Sequence, residues 1–126
     1  MDQCRASKDV IESFLSDLKT LLNSKSFNPE KDFLLGGKKE RLKNTKTLME
    51  LDMNKNDVIE ILKELEISNY YQSVPDNKNK KMPDFHVFFI SILGKEIYIK
   101  ARIQQINNVL CISFHFAEYS HGKMPY

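Results

Sequence analysis

Eight residues near the C-terminus, Glu96-Ile97-Tyr98-Ile99-Lys100-Ala101-Arg102-Ile103, alternate polar and apolar without a break. A period of two is the signature of a β-strand. It sends Ile97, Ile99, Ala101 and Ile103 to a core and Tyr98, Lys100 and Arg102 to the opposite side. The following run, Val109-Leu110-Cys111-Ile112-Ser113-Phe114-His115, comes after Asn107-Asn108. That pair reads as a two-residue hairpin turn, because Asn tolerates positive φ. The turn sets Arg102 opposite Ser113 and Lys100 opposite His115, and cross-strand partners share a face.

A third strand precedes these two. Residues 84–93 are apolar on both sides, with Phe85, Val87 and Phe89 on one and Phe88, Ile90 and Ile92 on the other. Such a strand belongs in the middle of a sheet or under a helix. A tight turn through Gly94 puts Phe85, Val87, Phe89 and Ser91 on the face of Tyr98. Residues 84–126 therefore read as a three-stranded antiparallel meander that gathers Tyr98, Lys100, Arg102, Ser113 and His115, with an aromatic flank. His86 has the opposite parity and reads as a packing residue.

The first two thirds read as helices. Ser7 is a good N-cap for a helix carrying Val10, Ile11, Phe14, Leu15, Leu18, Leu21 and Leu22 at i, i+3, i+4, i+7 spacing, ending near Asn23 before Phe27-Asn28-Pro29. Leu34-Leu35-Gly36-Gly37 reads as a loop. A second helix over 38–52 has Leu42, Leu48, Met49 and Leu51 as its apolar set. A third, from Asn56 as cap to Glu66, turns Val58, Ile59, Leu62 and Leu65 inward. Residues 75–83 form a polar loop in which Lys80 and Lys81 are candidate RNA-binding residues. The sum is an α+β fold, N-terminal helices packed on a C-terminal antiparallel sheet, in one domain over residues 1–126.

Charge is unevenly divided. Residues 1–77 carry 12 basic and 14 acidic side chains, and residues 78–126 carry 7 and 3. The basic excess falls on the segment with the polar sheet face, as a face that meets an anion requires. Cys4 and Cys111 are the two cysteines, too far apart for a metal spacing or a disulfide framework, which points to a reducing compartment. Charged residues interrupt the N-terminal segment and the longest apolar run is Val87-Phe88-Phe89-Ile90, so neither a signal peptide nor a membrane span is expected, and the location is read as cytoplasmic.

Metal-free cleavage of RNA needs a base for the 2′-hydroxyl proton, an acid for the departing 5′-oxygen, and cations for charge developing on phosphorus. A histidine titrates near neutrality and serves as either base or acid. Tyrosine is a poor base unless a cation lowers its pKa, a role open to Lys100 and Arg102. No Asp or Glu cluster lies on these strands, so neither metal nor cofactor is expected. Ser113 reads as a small structural residue, and His121 as part of a mobile tail. Lys38, Lys39, Arg41, Lys43 and Lys46 read as a solvated helix face, with phosphate steering as the lesser alternative.

The residues Gly94-Lys-Glu-Ile-Tyr98-Ile-Lys100 and Leu110-Cys-Ile-Ser-Phe-His115 resemble the motility quorum-sensing regulator (MqsR) family of toxins. The helix Val58 to Leu65 leading to Tyr70-Tyr71-Gln72-Ser73 fits the same family, as do Phe116-Ala117-Glu118-Tyr119 and Met124-Pro125-Tyr126. The resemblance implies a RelE-like fold, a metal-independent mRNA endoribonuclease activity and a cognate protein antitoxin. It places the family's strand tyrosine on Tyr98 and its basic residue at the end of the last strand on His115. Its lysine after the paired aromatics falls on Gln72, and its glutamine near the first strand on Phe85. Gln72 supplies no charge and Phe85 can only stack, whereas His115 can replace a lysine as proton donor. The alternative class is a non-catalytic RNA-binding regulator using the same face. For the antitoxin, the open strand edge of the meander and the helical layer of residues 7–66 are the candidate docking surfaces.

Overall fold

The computed structural model describes residues 5–105 and 108–126. Helix α1 (Lys8–Leu22) begins where Ser7 accepts the Val10 N–H at 3.3 Å and ends at Asn23. Its Ile11, Leu15, Leu18 and Leu22 are buried. Helix α2 (Pro29–Asp32) is a single turn, followed by β1 (Phe33–Leu35), α3 (Arg41–Leu51) and α4 (Lys55–Lys63). Asn54 caps α4, two residues before the expected cap. Its side chain accepts the Asp57 N–H at 3.0 Å while the Asp57 carboxylate accepts the Asn54 N–H at 2.9 Å, a reciprocal box that fixes the first turn. A 3-10 turn (Ile67–Asn69) leads to β2 (Tyr70–Val74), β3 (Phe85–Ile92), β4 (Lys95–Gln105) and β5 (Asn108–Phe116).

These strands form one sheet in the order β1-β5-β4-β3-β2, α+β as expected but with two strands that sequence pattern did not show. β2 runs antiparallel to β3, and β1 pairs parallel to β5, Phe33 with Val109 through Leu35 with Cys111. Leu34 and Leu35 are thus strand residues rather than loop. Ile11, Leu18, Val58, Leu62, Phe88, Ile97, Ile99 and Phe114 make one continuous core between the helices and one face of the sheet. A smaller cluster of Tyr71, Val87 and Phe89 occupies the opposite face.

Helix α3 breaks its own apolar pattern. Leu42 and Met49 are 79% and 77% exposed, while Asn44 and Thr47 are buried. The cause is the outer edge of β5, whose backbone groups need partners once β1 ends. Gly36 N–H donates to the Cys111 carbonyl at 2.7 Å. Asn44 then donates to the Ile112 carbonyl at 3.1 Å and accepts the Phe114 N–H at 2.9 Å, and Thr47 accepts the Phe116 N–H at 3.1 Å. A helix therefore completes the sheet edge with side chains, which also closes the meander edge expected to stand open. Gly36 (φ 90°) makes the turn between β1 and the loop before α3, and a Cβ there would also lie 3.1 Å from Asn44 Nδ2.

The β4–β5 register also differs from expectation. Tyr98 pairs with His115 and Lys100 with Ser113, not Lys100 with His115 and Arg102 with Ser113. The slip is two residues, so the face is preserved. Beyond Lys100 a bulge at Ile112 brings Ala101 opposite Cys111 and Arg102 opposite Leu110. The expected Asn107-Asn108 turn falls partly outside the described residues. Asn108 itself is the first residue of β5, paired with Gln105.

Candidate active site

The sheet face away from α1 and α4 floors a cavity of about 750 Å³, within the range of small-ligand sites. Strand alternation delivers Tyr98, Lys100 and Arg102 from β4, Ser113 and His115 from β5, and Phe85 and Phe89 from β3. The loop before α3 adds Lys38, Lys39 and Glu40, α3 adds Lys43, and residues 117–121 close one side. Six basic and three acidic side chains line it, the balance of an anion site.

Tyr98 and His115 form its centre. Their rings stack with centroids 5.4 Å apart at 19°. His115 is 5% exposed, with Nδ1 donating to the Phe116 carbonyl at 3.0 Å and Nε2 2.8 Å from a Glu40 carboxylate oxygen. The carbonyl fixes one nitrogen as a donor and leaves Nε2 as the nitrogen able to exchange a proton at the cavity. Burial raises the pKa of Tyr98, Glu40 raises it further, and Lys43 opposes them. The expectation that Lys100 and Arg102 depress it is not met: the phenol's pKa is moved up, away from that of a base.

The two β4 cations differ from each other. Arg102 is 5% exposed and its Nη1 sits 2.9 Å from Asp76 and 3.1 Å from the Pro83 carbonyl, with Nη2 3.0 Å from Gln104. Its guanidinium also lies 4.1 Å from the Phe85 ring centre. Hydrogen bonding from Arg102 holds the Asp76 carboxyl below its ordinary pKa. The charge expected to meet phosphate is instead engaged in pinning the 75–83 loop to the sheet. Lys100 is half-buried and in no ion pair among the described residues. Burial lowers its pKa while Glu40 and Asp76 raise it, and its Nζ lies 5.1 Å from the Phe85 ring centre. Lys100 is the available cation.

Other expectations shift with the geometry. Gln72, Lys80 and Lys81 are not among the lining residues; β2 contributes Tyr71 and Val74 to the cavity, and the loop contributes Asp76 and Lys78. Lys38, Lys39 and Lys43, expected as a solvated face, stand on the rim. Lys43 is bonded to Glu118 at 2.8 Å, a contact that raises its pKa. His121 is not a loose tail residue. Its ring lies 4.2 Å from Phe89, its Nδ1 donates to the Gly122 carbonyl at 2.7 Å, and its Nε2 is 2.7 Å from Glu96. These contacts depend on the segment after β5 crossing the sheet over β4 and β3, which no local pattern signals. Cys111 faces the core, where burial pushes its thiol up to about 12, so it offers no nucleophile. Among the described residues no group of three or more His, Cys, Asp or Glu is arranged to hold a metal, and no helix is long and apolar enough to cross a membrane.

Fold and cavity together define an α+β protein with a basic, aromatic-floored site on its sheet. The family described as motility quorum-sensing regulator, toxin of MqsA, matches residues 30–116, and the chain belongs to it. It is a toxin of a toxin–antitoxin system, with an antitoxin as partner. No curated protein and no solved structure matches the chain.

Proposed function

We propose that this toxin is a metal-independent endoribonuclease that cuts mRNA by attack of the 2′-hydroxyl on the adjacent phosphate. The observation that carries the reading is the stacked Tyr98–His115 pair beside Lys100 at the floor of a lysine-rimmed cavity. Substrate displaces Glu40 from His115 Nε2, the Nε2 proton leaving with the carboxylate, and the neutral ring then takes the 2′-hydroxyl proton at Nε2. The Tyr98 hydroxyl and the Lys100 ammonium meet the charge that develops on the non-bridging phosphate oxygens. Phe85 and Phe89, buried under Arg102 and His121, floor the site rather than stack bases, and Lys38, Lys39 and Lys78 hold flanking phosphates.

The protein should cleave RNA in EDTA and leave 2′,3′-cyclic phosphate ends. His115→Ala should slow cleavage about 100-fold or more. Activity abolished by chelation would reject the mechanism. One observation favours the second reading, a regulator that binds RNA without cutting it: His115 is nearly buried and Glu40 occupies its Nε2. Under that reading RNA binds tightly, no cyclic phosphate accumulates, and His115→Ala changes affinity alone.

A further inference from the structure

The cavity holds a second histidine in the same setting as the first. His115 and His121 each give Nδ1 to the carbonyl of the next residue, Phe116 at 3.0 Å and Gly122 at 2.7 Å. Each sets Nε2 against a glutamate, Glu40 at 2.8 Å and Glu96 at 2.7 Å. Both rings line the one cavity. They flank Tyr98: His115 stacks on it at 5.4 Å, and Phe89, 5.5 Å from Tyr98 on the other side, carries His121 at 4.2 Å. His115 belongs to β5 and Phe89 to β3, two strand spacings apart or about 10 Å. An in-line O2′–P–O5′ axis lying over Tyr98, with a hydrogen bond at each end, spans a comparable length.

The proposed reaction leaves one role empty. Tyr98 and Lys100 are committed to the non-bridging oxygens and His115 takes the 2′-hydroxyl proton, so the departing 5′-oxygen still needs an acid. We infer that His121 is that acid, delivered to the cavity by the segment after β5, which lies beyond the family-matched residues. In the step, the 2′-hydroxyl proton passes to His115 Nε2, the O2′–P bond forms and the P–O5′ bond breaks. The Nε2 proton of His121 goes to O5′, leaving a cyclic phosphate and a free 5′-hydroxyl. The inference rests on the ribonuclease reading.

The segment is held firmly enough to place the ring. Ala117 N–H donates to the Glu96 carbonyl at 2.9 Å, and Gly122 N–H donates to the Tyr71 hydroxyl at 3.3 Å. Arg5 donates to the Lys123 carbonyl at 3.1 Å. Tyr126 stacks on Tyr70 with centroids 6.0 Å apart. The groups facing His121 are Glu96 from β4, Tyr71 from β2 and Phe89 from β3, with Arg5 above the Tyr71 ring. The Gly122 carbonyl first, and Glu96 after it, raise the pKa of His121, so the ring stays protonated to higher pH than an ordinary histidine.

A sulfur leaving group separates acid catalysis from a structural role, because a thiolate departs without being protonated. The test uses an oligoribonucleotide that the wild-type chain cuts, remade with sulfur in place of the scissile 5′-oxygen. His121→Ala should slow the oxygen substrate about 100-fold and the sulfur substrate less than about threefold. His115→Ala should slow both. His121→Asn, which keeps a polar group against Gly122 and Glu96, should behave as His121→Ala does and guards against loss of fold. Equal slowing of both substrates by His121→Asn, or no slowing of either, overturns the acid role while the nuclease reading stands. Failure of the wild-type chain to cut RNA at all overturns both.

Discussion

The two faces of the sheet use the same residue types to opposite ends. On the helix side His86 lies 4.5 Å edge-on to Phe14 and bonds Ser73 at 2.7 Å, and burial pulls its pKa down. On the cavity side His121 meets a carbonyl and a carboxylate that raise its pKa. One face excludes charge and is fixed by volume; the other collects charge on an aromatic floor and is fixed by pairing. The face that holds the fold together is therefore separate from the face offered to an anion. Substitutions should separate the same way, with stability following the first and activity the second.

The largest stability loss should come from Phe88→Ala, a fully buried ring on the helix side, at about 3–5 kcal/mol by denaturant unfolding. Lys100→Met on the other face should lower cleavage about 100-fold while leaving the unfolding midpoint unchanged or slightly higher, since it relieves a half-buried charge. If Lys100→Met destabilised the protein as much as Phe88→Ala, the separation of faces would be broken. Next comes Asn44→Ala. It strips partners from the buried Phe114 N–H and from the Ile112 carbonyl and should cost about 2–3 kcal/mol. A neutral result would mean that water or a shifted β1 takes over this edge.

How much of this was legible follows from range. Period-two alternation over 96–103 and 109–115 reports a face, and a two-residue register slip cannot alter that, so Tyr98, Lys100 and His115 share a face in either register. α1 was readable because its cap and stripe are local. β1 was not, because three residues pair with a strand some 75 positions away and leave no periodicity. α3 misled for the same reason. Asn44 and Thr47 point inward to serve a strand edge, and only the tertiary fold shows that this edge needs them. Arg102 has the right parity for the site, yet the 75–83 loop folds back and engages its charge.

Acid should act on the helix face through His86. Its folded pKa lies below its unfolded one, so the group's contribution is complete above the unfolded value of about 6.5. It is lost as pH falls from there through the lower folded value, because the unfolded chain takes up the proton first. Stability measured by urea unfolding should therefore drop between neutral pH and about pH 5, and His86→Phe should flatten that drop while keeping the ring contact with Phe14. His121, raised on the other face, carries the reverse sign: its contribution is present below the unfolded value and fades as pH rises through the folded one. An identical acid slope in wild-type and His86→Phe protein would assign the titration elsewhere.

The smallest effect lies at the hairpin that joins the two faces' strands. Between β3 and β4, Leu93 (φ 52°) and Gly94 (φ 79°) both adopt left-handed backbone, the geometry of a two-residue type I′ turn. Glycine adopts it freely, but the Cβ of leucine strains it, and Leu93 is 86% exposed with little packing in return. Asparagine tolerates this conformation and is favoured at the first position of such turns. Leu93→Asn should raise stability by about 0.5–1 kcal/mol and leave cleavage unchanged, because the turn lies outside the cavity lining. A loss of stability would show that the Leu93 side chain contributes packing worth more than its backbone strain. A change in cleavage would show that the hairpin register, and through it the Phe89–Tyr98 pairing, is set at this turn.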